Sequence, residues 1–240
     1  MLPAQPNQSL MDGIACLQAL ATCDAPVGSR ELARRLGLEA TRANRLLKTL
    51  AHLGLARQGE DRRYQSGPAM HVLSIQSLRA SGLIRRAVPV LESLHSTGHT
   101  VALGVLWRNQ VSYLYHGRTG VPASEAIGGT GIFPASQSAI GLVLLSQMPI
   151  REVGKLYAKG EVPGFTSLAA LQTDIRRARE GGFAVVVHGE YPVHASLAIP
   201  LGGDTGAAIA LAGVIHASDY PRLVQRLQVA AGKIAAAPDP

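Results

Sequence analysis

The chain has 240 residues, of which 47% are hydrophobic and 16% charged, and carries a formal net charge of +7. That length holds one large or two modest domains with a real core, and the composition excludes a disordered or low-complexity chain. The longest apolar stretches, such as residues 207–215, fall short of the roughly 20 residues that cross a bilayer as a helix. The opening MLPAQPNQSLMDG lacks the basic and apolar segments of a secretory signal, so a cytoplasmic protein with no membrane partner is expected.

Charge is unevenly spread: residues 29–63 hold nine Lys or Arg against four acids, whereas residues 64–240 hold fourteen against ten. An early positive field points to a polyanion there, although a solvated basic face gives the same count. Cys16 and Cys23 are expected to pack on one helix face, since a zinc site takes about four ligands in compact clusters.

From Ser9 to Thr22, Leu10, Ile14, Leu17 and Leu20 recur at helical spacing, with Ser9 as the expected N-cap. A second helix is predicted over 29–36 and stopped by Gly37; a third over 40–53 buries Ala43, Leu46, Leu47 and Leu50 and leaves Arg42, Asn44, Arg45 and Lys48 outside. Residues 55–57 and 62–65 read as two short strands about the turn Gly59-Glu60-Asp61, with arginines at the tip. A linker helix over 68–80 breaks at Ser81-Gly82 before another at 84–95. Beyond it, strands are predicted at 100–107 and 111–116, helices at 135–147, 150–158 and 168–180, strands at 183–188, 194–201 and 207–216, and a last helix from Asp219. Strands joined by tight turns with helices between them indicate an antiparallel α+β domain. The expected division is 1–67, 68–82 and 83–240.

Two helices about a glycine turn, the second with a basic outer face, followed at once by an arginine-tipped hairpin, make a winged helix-turn-helix. Arg42 and Arg45 are placed to meet guanine edges or phosphates, Asn44 an adenine or a phosphate, Lys48 the DNA backbone, and the wing residues Arg62 and Arg63 phosphates or the minor groove. Ser29 and Arg30 join them at the start of the second helix.

The segment SRELARRLGLEATRANRLLKTLAHLGLARQGEDRRYQSGP resembles the DNA-binding domain of the IclR (isocitrate lyase regulator) family. LESLHSTGHTVALGVLWRNQVSYLYH, FPASQSAIGLVLLS and VHASLAIPL followed by GAAIALAGVI resemble its effector domain, so the likeness spans nearly the whole chain. The resemblance implies a GAF-like effector domain, dimers or tetramers on double-stranded operator DNA, control by a small-molecule effector, and no cofactor. It assigns Thr41, Arg42, Asn44 and Arg45 to the DNA-facing start of the recognition helix. It assigns the effector pocket to Gly128, Gly129, Thr130, Gly131, Ile132, Phe133, Ala139, Val186, Ser196, Ala212 and Val214. The family often has an acid near Val186, cysteine at 196 and serines at 212 and 214, so this chain is expected to hold an aromatic or otherwise apolar effector, anchored by backbone N–H groups and Ser196.

Two other readings stand beside it. The C-terminal domain can serve oligomerisation alone. An enzyme can be built from Ser136, Ser138, His188, His194 and His216, yet there is no G-x-S-x-G elbow, no H-E-x-x-H, and no Gly-Lys-Ser/Thr after Gly128-Gly129-Thr130-Gly131, while Pro134 takes the third glycine position of a dinucleotide fingerprint.

Overall fold

The computed structural model describes residues 5–128, 131–158, 160–189, 194–202 and 205–237, divided into two compact units, 1–81 and 82–240. In the first, α1 (Gln8–Ala21) is capped by Asn7, whose side chain accepts from the Leu10 N–H at 3.0 Å; Ser9, the expected cap, lies inside the first turn. Cys16 is buried on this helix, and burial followed by the nearby Asp12 carboxylate raises its thiol pKa. Cys23 falls beyond the helix end, half-buried, with the Arg35 guanidinium donating to its sulfur at 3.5 Å, so the two cysteines do not share a helix face.

Helix α2 (Ser29–Leu36) stops where Gly37 enters the left-handed region (φ 64°) and the Leu38 N–H closes back on the Ala33 carbonyl at 2.9 Å. This turn satisfies the final carbonyls and redirects the chain at no steric cost, because glycine has no Cβ. Three residues later α3 (Ala40–His52) begins. Strands β1 (Ala56–Gln58) and β2 (Tyr64–Ser66) form the antiparallel wing. Val27 bridges to Tyr64 through two 2.8 Å backbone bonds, tying the entry to α2 to the wing. Cys16, Leu20, Val27, Leu32, Leu47, Leu50 and Tyr64 close the core. Helix α4 (Ala69–Ser81) buries none of its residues and leaves Val72, Leu73 and Ile75 more than half exposed.

In the second unit α5 (Leu83–Leu94) precedes β3 (Thr100–Trp107) and β4 (Gln110–Gly117), which pair antiparallel. Then come α6 (Ala123–Ala126), β5 (Ile132–Pro134), α7 (Ala139–Ser146), α8 (Ile150–Leu156) and α9 (Leu168–Gly181). The chain closes with β6 (Ala184–His188), β7 (His194–Pro200), β8 (Ala207–Val214) and α10 (Tyr220–Ala236). All pairings in the six-stranded sheet, ordered β5-β4-β3-β8-β7-β6, are antiparallel.

Side chains alternate across this sheet. One face, with Val101, Leu103, Leu197, Ile209 and Leu211, shares a core with α5 and α10; the other, with Ala102, Ala198, Ala208 and Ala210, lies under α7 and α9. Every residue of α7 is buried. The alanines let the helix sit close, and a Cβ on Gly141 would stand 2.1 Å from the Ala135 carbonyl oxygen. The helix expected from 135 instead begins at 139, because a 3-10 turn at Ala135–Gln137 precedes the true cap, Ser138, whose hydroxyl accepts from the Gly141 N–H at 3.3 Å. We expect Gly141→Ala to destabilise the fold by roughly 1–3 kcal/mol or more, the cost of overpacking a filled core, measured by urea unfolding followed by circular dichroism. An unchanged midpoint would show that the Ala135 turn can move aside without cost.

Candidate functional site

The first surface is built on α3. Its helical period places Ala43, Leu47 and Leu50 inward and Thr41, Arg45 and Lys48 outward. Glu39 opens the helix, its carboxylate accepting from the Arg42 N–H at 3.3 Å and from the Thr41 hydroxyl. The Thr41 hydroxyl and then the Arg42 N–H hold the Glu39 carboxyl below the usual range. This cap therefore persists above the ordinary glutamate pKa and is lost as pH falls through the lowered folded value. Arg45 and Lys48 make no ion pair among the described residues. Asn44 is half-buried on one shoulder.

On the other shoulder Arg42 is not a fully outward residue. Its Nε lies 2.6 Å from Asp12 Oδ2, and a terminal nitrogen donates to Ser9 Oγ at 3.4 Å. Ser29 is half-buried at the first turn of α2, with Arg30 exposed beside it. Arg62 and Arg63 sit in the turn rather than on β2, and both are exposed. Arg62 takes φ 61°, a region uncommon for residues other than glycine. Arg63 is fixed by its own N–H to Asp61 Oδ1 at 3.0 Å and by its guanidinium to the Pro26 carbonyl at 3.2 Å.

The second surface is the end of the alanine-lined sheet face beyond α7. Register places Val186 beside Ser196 and Ser196 beside Ala212 in one row, and His188, His194 and Val214 in the next. An open cleft of about 440 Å³ is lined there by His188, Gly189, His194, Ala195, Ser196, Ala212 and Gly213. Among the described residues no acid lines it. The His188 Nε2 and Ser196 Oγ are 3.1 Å apart.

Among the expected pocket residues, Ser196 and Ala212 line the cleft and Val186 and Val214 flank it. Ala139 is buried at the start of α7. The stretch 128–133 is not simply a loop: Ile132 and Phe133 belong to β5, at the far edge of the sheet from β6, where they pair with Ser112 and Val111. Gly128 donates to the Leu114 carbonyl at 3.3 Å, Gly131 is exposed, and Gly129 and Thr130 lie outside the described residues. The sequence reading passed over His188 and His194 as ligand contacts. Their cross-strand pairing beside Ser196 needs the register of β6 on β7, which period alone does not supply.

The serines weighed as nucleophiles are structural. Ser138 caps α7 and meets the Tyr113 hydroxyl at 3.0 Å, and Ser136 donates to the Pro163 carbonyl at 2.6 Å. His216 lies past the end of β8. Among the described residues no cluster of three His, Cys, Asp or Glu fits a metal ion, and no helix is long and apolar enough to cross a membrane. A separate groove of about 390 Å³ between α5 and α10, lined in part by Val90, Arg226, Val229 and Lys233, contains none of the expected residues.

Comparison with known proteins matches two family models: the IclR helix-turn-helix domain over residues 9–60 and the bacterial transcriptional regulator IclR C-terminal domain over residues 75–236. The chain is 28% identical to the transcriptional repressor IclR of Escherichia coli over 192 residues, 74% of this chain and 68% of that protein. Its fold is shared with an IclR family transcriptional regulator from Brucella abortus, at a TM-score of 0.77 and 22% identity, covering 98% of this chain and 94% of that one. An IclR homolog from Microbacterium hydrocarbonoxydans, solved with 4-hydroxybenzoate, matches at a TM-score of 0.64 and 22% identity, covering 95% and 98%.

Arg45→Ala should weaken selective DNA binding by roughly 1–3 kcal/mol where the side chain reads a base, or flatten the salt dependence where it meets a phosphate. Fluorescence anisotropy across a salt series checks this, and an unchanged affinity and slope would remove Arg45 from the interface.

Proposed function

Because the chain belongs to the IclR family of DNA-binding transcriptional regulators, which are not enzymes, we propose that it is a repressor whose grip on an operator is set by a small aromatic acid held in the cleft of the second unit. The observation that carries the effector reading is the composition of that cleft among the described residues: two imidazoles and a hydroxyl on one rim, and apolar Val186 and Ala212 alongside. Its volume of about 440 Å³ lies within the ordinary range for small-molecule sites, about 300–1,000 Å³. A buried carboxylate is tolerated only with donors to replace water. Ser196, His188 and His194 supply donors, and the apolar strands suit a ring. Ala139, Gly128, Gly131, Ile132 and Phe133 do not line the cleft, with Ile132 and Phe133 on the opposite edge of the sheet, so they are not first contacts in this reading. Repression follows the habit of the E. coli relative.

On DNA, Thr41, Asn44 and Arg45 face base edges, while Lys48, Arg62, Arg63, Arg30 and Ser29 face the backbone. Operator sites of two-fold symmetry call for a homodimer or a pair of dimers acting in the cytoplasm. The bare apolar residues of α4, with Leu10 and Ile14 exposed on α1, offer the kind of surface that a second copy covers. Ligand binding biases two arrangements of the protein, only one of which sets the recognition helices at half-site spacing.

Calorimetric titration tests the effector class. Benzoate and 4-hydroxybenzoate should bind and change operator affinity, and Ser196→Ala should weaken that binding several-fold. Binding of glyoxylate or pyruvate alone would overturn the aromatic assignment. Binding of neither class, nor of a wider metabolite panel in thermal shift, would favour a purely oligomerising second unit.

A further inference from the structure

The polar residues of the recognition helix do not stand alike. Thr41, Arg45 and Lys48 follow the exposed stripe of α3, whereas Arg42 occupies the shoulder facing α1, with its side chain 40% exposed. Asp12 is only 7% exposed. One of its oxygens lies against Arg42 Nε at 2.6 Å, and the other accepts from Gln8 Nε2 at 2.7 Å. The Arg42 Nε–H is not aligned to donate a hydrogen bond, so the attraction is Coulombic. Ser9 Oγ accepts from the far end of the same guanidinium.

We propose that Asp12 is a specificity-determining residue of the DNA interface, acting as a positioning residue through Arg42. It neutralises the guanidinium and holds it against α1, so that Arg42 braces the recognition helix instead of making a mobile phosphate contact. The physical reason lies in what phosphate contacts do. They add affinity for any sequence and carry no information about bases. The winged unit already has a surplus of exposed cations in Arg30, Arg45, Lys48, Arg62 and Arg63. A further arginine swinging free on the shoulder of α3 would raise binding to every duplex and dilute discrimination. A buried carboxylate beside it offsets that charge while staying paired itself, which avoids the cost of an unpaired ion in the interior. The inference rests on α3 being the DNA-facing helix.

The test is fluorescence anisotropy with the full-length protein. One labelled duplex comes from the intergenic region upstream of its own coding sequence, the other is a shuffled duplex of equal length, and both are titrated between 50 and 200 mM salt. Asp12→Asn keeps the size of the side chain and the Gln8 contact but removes the charge. It should raise affinity for the shuffled duplex and steepen the log–log salt slope by about one, a further loss of about three- to fourfold in affinity across that salt range. The preference for the upstream duplex should fall several-fold. Adding Arg42→Gln to Asp12→Asn should return the slope to its starting value.

A folded Asp12→Asn with an unchanged slope, or a steepening that survives Arg42→Gln, overturns the proposal. So does equal weakening on both duplexes, which is what a merely structural strut would produce. Should circular dichroism show that Asp12→Asn does not fold, Arg42→Gln alone decides: its slope falls by less than about half a unit under the proposal and by about one if Arg42 is an ordinary phosphate contact. Arg45→Ala is the control. No effect of Arg45→Ala would remove the reading of α3 itself, whereas weakening by Arg45→Ala with an unaltered Asp12→Asn slope removes only the role of Asp12.

Discussion

The seating of α7 on the sheet governs what the second unit can do. Ala102, Ala198, Ala208 and Ala210 leave a shallow bed, and a helix whose eight residues are all buried fills it. Each Leu, Ile or Val so buried contributes about 1.5–3 kcal/mol, and the close approach at Gly141 packs the start of the helix against the Ala135 turn. A side chain much larger than alanine in those four positions would push the helix away. That close packing occupies one end of the sheet face; Val186 packs at its border, while His188, His194 and Val214 in the next row are exposed. The cleft is thus the remainder of a face that α7 and α9 do not cover, and its polar rim arises because the strands end there in histidines.

In the winged unit the governing demand is different. A helix that must enter a groove has to be held from one side only. Leu47 and Leu50 do this through the core, and the Gly37 turn sets where α3 starts. The two bonds between Val27 and Tyr64 tie the wing to the entry of α2, and both residues share the core that holds Leu47 and Leu50. Arg62 at φ 61° costs more than glycine would in that turn. It is an exposed side chain at the tip of a hairpin, which gives the strain a use if the tip meets a polyanion.

Much of this was legible in the sequence where one pattern runs for many residues. The strand at 100–107 was expected with the bounds it has, and α2 likewise, because β-branched runs and amphipathic stripes end at clear turn residues. Short elements were legible where a polar turn pairs them, as in the wing strands β1 and β2, and not elsewhere. The four residues of α6 and the three of β5 are too few to show a period, and β5 is defined by its partner β4 rather than by its own residues. Competing caps misled in two places: Asn7 rather than Ser9 starts α1, and Ser138 rather than the chain after Pro134 starts α7. The contacts that give the site its chemistry were the least legible. Asp12 with Arg42 joins residues thirty positions apart on different helices, and His188 with Ser196 depends on a strand register; neither leaves a trace in local periodicity.

Occupancy of the cleft is not by itself regulation, since a ligand shifts an equilibrium only by binding two arrangements unequally. A typical coupling is about 1–3 kcal/mol, while a swing from mostly bound to mostly released operator takes about 5.5 kcal/mol. One cleft therefore falls short, and two clefts acting on one dimer reach the required range at the upper end. This gives the proposed dimer a thermodynamic purpose beyond matching operator symmetry. The strands that line the cleft, β7 and β8, turn their opposite faces toward α5 and α10 through Leu197 and Leu211. Only Gly82, at φ 60°, separates α5 from α4 along the chain. A ligand that changes the lie of β7 and β8 thus acts on the helix from which the linker departs, by contacts within a single core and one covalent step.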